Sequence, residues 1–405
     1  LTWRDEIVDV LVDDAGINRI RIELRSGTEN PIDYWSQFVA GEISYTDLKS
    51  HFYEKINDNA DPDVANAEGF QFSNLDYQIE NLVLPMQAKL AERGERLHIN
   101  LCYIDFKWTD LKGPLSHADE PREYAELVDQ AFLHLGEKYG LVPDSFELVL
   151  EPDNTHRWWG GHMADGLVAV AARLEARGIT PRYIAPSTAS ANSALPWMND
   201  FATKSEAIQL LSVLAYHRYD GAAADTALPD IVARAEANGL QTEMLEYVKG
   251  DINHLYSDLV RGNASAWQRY GVATKGGRNP KPGYMLNLVG EGDDAGIALA
   301  DNAHDLAAIF RTVRMDAVRI GARSDDLSIR PLAFHNADGQ HVIILLTSHA
   351  GAVEILHMSL GEYTLRFLPK DQSQTVQLGE VLAGDDLLTV QIPGPGVFVL
   401  QQDAS

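Results

Sequence analysis

Cysteine is nearly absent from this chain of 405 residues: Cys102 stands alone, which excludes an intrachain disulfide. It lies in an apolar, strand-like run and reads as a buried structural thiol. Long apolar runs are missing too, so no segment is suited to cross a bilayer as a helix, and no membrane insertion is expected. No signal-peptide pattern is present. The chain opens on Leu1 rather than Met, so the expectation is a leader already removed and a secreted or periplasmic location. Positive charge is scarce, with 33 Lys and Arg against 59 Asp and Glu and a net charge of −26. That balance argues against nucleic acid and anionic membranes as partners and tolerates a neutral substrate. The 13 histidines are scattered, with neither His-x-His nor His-Glu-x-x-His spacing, so no metal is expected. Repeats and low-complexity tracts are absent.

What is present is patterned. Strand-like runs at 19–24, 97–105, 146–151, 182–185, 211–217, 240–246 and 264–270 alternate with helical patterns such as 120–139, 162–177, 228–237 and 253–260. Gly178 and Gly239 stand at helix stops. Alternation of this kind predicts a parallel sheet with helices outside. The strand runs number one short of an eight-stranded barrel, and the expectation is a first strand upstream of Leu1, with a miscounted strand as the alternative. The stretch 25–72 is long for a βα loop and carries a short helix near 45–56. Its Asp58, Asp61 and Asp63 lack the full calcium-loop pattern and read as a solvated acidic loop. A Gly-, Lys- and Pro-rich loop is expected at 275–283 and a helix at 299–313. From Ala317 onward short strands follow one another at 318–320, 332–334, 341–347, 353–355, 363–367, 375–377, 387–392 and 397–401. A turn signal at Asn336-Ala337-Asp338-Gly339 joins two of them. The fold class expected is therefore α/β, a (β/α)8 TIM barrel over 1–314 with a C-terminal all-β sandwich over 315–405.

The chemistry gathers at strand ends. An apolar run ends in Glu151, and Pro152 stops it at once; a second, Thr242-Glu243-Met244-Leu245-Glu246, also ends in a glutamate. Carboxylates at the mouths of two separate strands are what acid/base-plus-nucleophile cleavage of a glycosidic bond needs. Residues two apart on a strand share a face, so if Glu246 points into the cleft, Glu243 points toward the helices and needs a partner there. A strand of ordinary length favours Glu246, with Glu243 as the competitor. Arg21 is placed to bind and ionise one carboxylate, whereas the acid partner calls for a raised pKa in a drier setting. His217 and Tyr219 fit either the cleft or the core. Trp35, Trp108, Trp158, Trp159 and Trp267 are candidates to stack on sugar rings, and Asp105 with Lys107 reads as an exposed ion pair or a pair of sugar contacts.

With these residues in place, the chain resembles a retaining glycoside hydrolase of clan A, and most of all glycoside hydrolase family 30, with families 39 and 5 as relatives. Phe146-Glu147-Leu148-Val149-Leu150-Glu151-Pro152-Asp153-Asn154 resembles the clan's strand-four acid/base motif. Gly16-Ile17-Asn18-Arg19-Ile20-Arg21 resembles the strand-two motif with its active-site Arg, and His217-Arg218-Tyr219 the strand-six His-x-Tyr. Met244-Leu245-Glu246-Tyr247 resembles the nucleophile motif, and Ala266-Trp267 the strand-eight Trp. The stretch 310–321 followed by 332–339 resembles the family's junction into its β-sandwich. The resemblance implies Glu151 as acid/base and Glu246 as nucleophile. It implies a carbohydrate substrate, with contacts from Arg21, Trp108, Asn154, Trp158, His217, Tyr219 and Trp267. The departure is Leu150, where the clan carries an Asn that binds the sugar 2-hydroxyl. Leu donates no such bond. The leading expectation is a retaining β-glycosidase in which another residue reaches that hydroxyl, a mechanism that requires no metal and no organic cofactor. The alternative is a carbohydrate-binding pseudoenzyme on the same fold, and a metal-dependent barrel hydrolase stands behind both.

Overall fold

Each apolar run of the first two-thirds pairs with the next one in sequence. The computed structural model describes residues 3–109, 111–273, 283–290, 295–384 and 387–403. In it β1 (Arg19–Arg25), β2 (His98–Ile104), β3 (Ser145–Glu147), β4 (Arg182–Thr188), β5 (Leu211–His217), β6 (Gln241–Glu246) and β7 (Ala264–Trp267) form one parallel sheet in chain order. Among the described residues this sheet has seven strands, the number of runs read from the sequence. It curls on itself: Arg21 of β1 reaches the Leu245 carbonyl at 3.5 Å and Glu246 of β6, and Arg19 reaches Gln268, just past β7, at 3.3 Å. Every residue of β2 is buried, as expected for a strand covered on both faces.

The helices at Pro121–Tyr139, Gly160–Ala176, Ala224–Ala237 and Ile252–Val260 stand where the periodicity placed them. Gly178 and Gly239, at φ 74° and 68°, end two of them in the left-handed conformation that glycine adopts without a Cβ penalty. The helix at Ala191–Phe201 escaped the sequence reading because Pro196 lies inside it and resembles a break. In the long loop after β1 the helix at Tyr45–Ser50 starts on a capping box of Ser44 and Asp47 and is shorter than the 45–56 stretch expected. These elements belong to one compact unit, Arg19–Ala88 with Arg96–Tyr270.

The other unit comprises Leu1–Asn18, Lys89–Glu95 and Gly271–Ser405. This grouping starts at Gly271, ahead of the 314/315 boundary suggested by the change of pattern. It contains β8 (Gly271–Ala273), β9 (Tyr284–Val289) and β10 (Gly296–Leu299) in a small sheet. The 275–283 loop read from the sequence falls outside the described residues, apart from Gly283. The helix expected at 299–313 is confined to His304–Phe310, because residues 296–299 pair with β9 instead. Next come β11 (Val318–Ile320), β12 (Ile329–His335), β13 (His341–Thr347), β14 (Gly351–Leu356), β15 (Gly361–Pro369), β16 (Val376–Ala383), β17 (Leu387–Ile392) and β18 (Gly396–Gln402). Six of them form a sheet ordered β11-β12-β13-β18-β15-β16, and β14 pairs with β17. Leu388, Val390 and Ile392 alternate inward from β17 and meet Leu345, Phe367 and Phe398 of the larger sheet, which makes the sandwich. Asn336 turns the β12–β13 hairpin, with the Gly339 N–H donating to its carbonyl at 3.0 Å. Its buried amide also donates to the Thr312 carbonyl at 2.8 Å. In the same unit the Arg314 guanidinium donates to the Gly16 carbonyl at 2.8 Å and to Glu95.

Candidate active site

Regular pairing on β3 ends at Glu147, but the chain stays hydrogen-bonded to both neighbours beyond it. Leu148 donates to Ile184 at 3.1 Å, Leu150 to Tyr103 at 2.9 Å and Glu151 to Ser187 at 3.0 Å. Glu151 itself is left-handed, at φ 46°. That conformation costs a non-glycine residue roughly 1–3 kcal/mol and persists only where the surroundings impose it. Here the bond to Ser187 on one side and the fixed ring of Pro152 on the other impose it. The effect is to turn the Glu151 side chain out of the strand's alternation and toward β5 and β6.

Glu151 accepts from Nδ1 of His217 at 2.9 Å and from the Asn154 amide at 2.7 Å. Glu246 accepts from the Tyr219 hydroxyl at 2.7 Å and is bound by the Arg21 guanidinium. One atom each of Glu151, His217 and Glu246 lies within 4.8 Å of the others, and the two glutamates are only 6% and 5% exposed. Burial pushes the Glu151 carboxyl up, but the bond and charge of His217 and the Asn154 amide outweigh it and hold the carboxyl below its ordinary value. The raised pKa expected for an acid partner is therefore not the state of this site. The proton is retained on the other side of the bond. Burial pulls His217 down, but Glu151 and Glu246 more than offset this and raise it. Burial and the Glu246 charge push the Tyr219 hydroxyl far up, so it acts as a donor. Burial also works against the charge on Arg21, and Glu246 and Glu147 hold it on.

The face argument for the two glutamates of β6 needs correction. Glu243 does not point toward the helices. It is fully buried on the inner side, bound by Arg19 at 2.7 Å and by Arg182 at 3.4 Å. Arg19 and Arg21 are two apart on β1 and share a face, so both glutamates point inward. The cause is a break in register: Tyr216 pairs with Met244 but His217 pairs with Glu246, skipping Leu245. Such an irregularity re-aims a side chain beside a site.

Trp158 is a second correction. It is 2% exposed, its indole N–H donates to Asp105 at 3.2 Å, and its ring packs on Tyr103 and Tyr124, so neither face is open to a sugar. Trp108 is half exposed beside Phe106, and Trp159 is half exposed and stacked on Trp197. Trp267 donates to Asp258 at 2.8 Å, and Trp35 lines a small cavity of the long loop with Tyr34, His51 and Phe52. Asp105 is not paired with Lys107. It receives Lys55 at 2.7 Å and the Ser26 hydroxyl at 2.9 Å. Cys102 is fully buried.

Sequence reasoning passed over Glu147, which lies inside beneath the pair. It accepts from Asn100 at 2.8 Å and from Ser187, and lies 3.7 Å from Arg21. Its signal was a charge in the middle of an apolar run, Phe146-Glu147-Leu148. Leu150 packs among Tyr53, Cys102 and Ile104, an apolar setting with no role for an amide.

Glu151, His217 and Glu246 are close enough to share a metal ion. The Arg21 guanidinium already bound to Glu246 is a positive charge in that place, and both ring nitrogens of His217 are engaged, Nε2 with Ser187 at 3.2 Å. The arrangement is that of two carboxylates with separate sets of donors.

No protein-family model matches the sequence, and no curated protein sequence does either. Solved structures do match. The catalytic domain of the family 30 xylanase C from Talaromyces cellulolyticus aligns at 14% identity over 98% of this chain and 91% of its own, with a TM-score of 0.69. A family 30 endoxylanase from Clostridium papyrosolvens aligns at 15% identity over 99% and 93%, also with a TM-score of 0.69. An endo-β-1,6-glucanase aligns at 15% identity over 98% and 86%, with a TM-score of 0.64. The fold is thus that of the family 30 structures, a curled βα sheet accompanied by an all-β part.

Proposed function

We propose that the protein is a glycoside hydrolase that cleaves a β-linked oligo- or polysaccharide with retention, through a glycosyl-enzyme intermediate. One observation carries the reading: two buried carboxylates, beyond β3 and at the end of β6, each bring an oxygen within 4.8 Å of the other's and keep different partners. Retaining enzymes hold their carboxyl groups about 5–5.5 Å apart, whereas inverting ones need about 6.5–9.5 Å to admit a water. The xylanases and the glucanase of like fold support the substrate class.

Glu246 is the nucleophile. Arg21 and Tyr219 hold its carboxylate in place while one oxygen attacks the anomeric carbon. Glu151 is the acid/base. In the free site its proton is held on His217. A sugar ring settling over the cleft removes water, which penalises the charged His217–Glu151 pair and favours the proton on Glu151. Glu151 gives that proton to the leaving oxygen and later takes one from the water that releases the sugar. Leu150 cannot serve the 2-hydroxyl, so that contact comes from elsewhere in the cleft.

Covalent trapping tests this. The full chain is incubated with activated 2-fluoro glycosides and epoxide or aziridine analogues of several sugars, and labelled peptides are mapped by mass spectrometry. The expected label is on Glu246, and the reagent that works identifies the sugar. A label on Glu243 overturns the assignment of the nucleophile. No label, together with sugar binding and no hydrolysis of β-glycans, overturns the enzyme and leaves a carbohydrate-binding protein.

A further inference from the structure

A second group of acids lies in the same unit, where the loop after β1 meets the helix Pro121–Tyr139. Each member has one oxygen anchored and one stranded. Glu29 takes the His117 ring at 2.7 Å on Oε2, and the other ring nitrogen of His117 meets the Tyr103 hydroxyl at 2.8 Å. Asp58 is held on Oδ2 by the Asn59 amide at 2.8 Å and by the Asn66 backbone N–H. Glu123 is held on Oε1 by the Asn57 amide at 3.2 Å. The remaining oxygens, Oε1 of Glu29, Oδ1 of Asp58 and Oε2 of Glu123, are buried without a hydrogen-bond partner. The three residues each place an oxygen within 4.8 Å of the others. Glu29 is 0% and Glu123 5% exposed, so water does not serve these groups as it would at a surface.

Burying a carboxylate oxygen unpaired is costly, and bringing three carboxylates together adds mutual repulsion. Glu123 gains a little from its place in the first turn of a helix. Glu126, one turn further along, is buried beside Glu123; burial and the charge of Asp58 push its carboxyl up to about 8, so it keeps a proton at neutral pH and shares it with Glu123, while its nearest cation is Arg173 at 3.8 Å. A hard cation that takes one oxygen from each of Glu29, Asp58 and Glu123 relieves the charge that remains.

We propose that Glu29, Asp58 and Glu123 form a calcium site. Calcium binds oxygen at about 2.3–2.6 Å, so ligands across the ion lie about 4.6–5.2 Å apart, which accommodates the observed spread. Magnesium, at about 2.0–2.1 Å, dehydrates reluctantly and is usually held by only one or two carboxylates with several waters. The His117–Tyr103 pair orients Glu29 as outer partners orient metal ligands elsewhere. The site lies apart from the pattern that the sequence suggests. Asp61 caps its own turn, accepting from the Asp63 N–H at 3.1 Å, and Asp63 pairs with Arg122; Asp58 alone of that trio turns inward. The ion staples the loop at Asp58 to the exit of β1 at Glu29 and to the helix at Glu123. It requires no step of the glycosidase reading.

The test uses the full chain, stripped with a chelator and shown to be folded by near-ultraviolet circular dichroism. It is titrated with calcium chloride by calorimetry and with terbium followed by luminescence excited through the aromatic side chains. The expected result is one calcium per chain and a Tm that rises with calcium and falls with chelator. Asp58→Asn, at a half-buried loop position that folding tolerates, weakens binding by about tenfold or more, and Asp61→Asn binds like the parent. A folded parent that takes up neither calcium nor terbium overturns the proposal. So does equal binding by Asp58→Asn and the parent, or loss of binding by Asp61→Asn alone. If Asp58→Asn does not fold, the titration of the parent decides the matter.

Discussion

Two groups of buried carboxylates sit in one βα unit, and the protein treats them in opposite ways. At the strand ends, Glu151 and Glu246 have their oxygens occupied by Asn154, His217, Tyr219 and Arg21. In the loop group, Glu29, Asp58 and Glu123 each leave an oxygen bare. Donors that come from side chains position a carboxylate while leaving it open to a passing substrate, and a group satisfied in this way is suited to turnover. Bare oxygens facing one another suit a resident ion. The number of acids in a cluster therefore says less than the accounting of their lone pairs, a distinction no composition or spacing carries.

The contrast is sharpest between Glu246 and Glu243, which stand on the same strand and face the same interior. Glu246→Gln should abolish hydrolysis, by at least about 10⁴-fold, with a smaller change in stability, since the amide still accepts from Tyr219 and Arg21 keeps Glu147 at 3.7 Å as a counter-charge. Glu243→Gln should do the reverse. It leaves Arg19 and Arg182 facing a neutral group in a buried setting, and removing one partner of a buried pair costs about 3 kcal/mol. Denaturant unfolding of both variants beside hydrolysis of an aryl glycoside checks the pair, and equal loss of activity in the two would dissolve the distinction between structural and reactive glutamate.

Within the reactive group the donors are also unequal. Arg21 bears a fixed charge, and Tyr219 supplies a neutral hydroxyl at 2.7 Å. A hydrogen bond to a charged group contributes about 1.5–3 kcal/mol, so Tyr219→Phe should slow formation of the glycosyl-enzyme roughly 10- to 100-fold. The loss should appear in kcat measured before the steady state, with the substrate's affinity little altered. An unchanged rate would mean that Arg21 alone holds the nucleophile.

The reading of the sequence carried the seven strands, the four long helices and the sandwich, because all of these rest on periodicity, and periodicity is set by burial of one face or of two. It also placed Glu151, His217, Tyr219, Glu246 and Arg21, which the structure brings together. It went astray where periodicity breaks. The side-chain direction of Glu243 was misjudged because the skip at Leu245 is a property of two strands together. Trp158, close to Glu151 in sequence, suits either a sugar platform or packing under a loop, and the partners that decide for packing, Tyr103 and Tyr124, come from elsewhere in the chain. Asp58 was grouped with Asp61 and Asp63 by spacing, and it is the fold that sends it to Glu29 and Glu123.

Glu151 differs from Glu246 in one further way: its main donor titrates. His217 is fully buried and its pKa is raised above the ordinary 6.5, while Glu151 is lowered from its ordinary 4.5. The raised group stabilises the fold below its unfolded value and loses that contribution as pH rises through its folded value. The lowered group stabilises above its unfolded value and loses that contribution as pH falls through its folded one. The pair should therefore contribute most between about pH 4.5 and pH 6.5, and fade above the upper limit as His217 gives up its proton. His217→Gln keeps a hydrogen bond to Glu151 but removes the charge. Its unfolding free energy, measured against pH, should fall short of the parent's in that window and approach it at higher pH. Activity should move with it if, as proposed, the proton that Glu151 delivers is the one His217 stores: the basic limb of kcat/KM should then shift to lower pH in the variant. A parallel offset at every pH would mean that His217 acts only by packing, and that Glu151 obtains its proton directly from solvent.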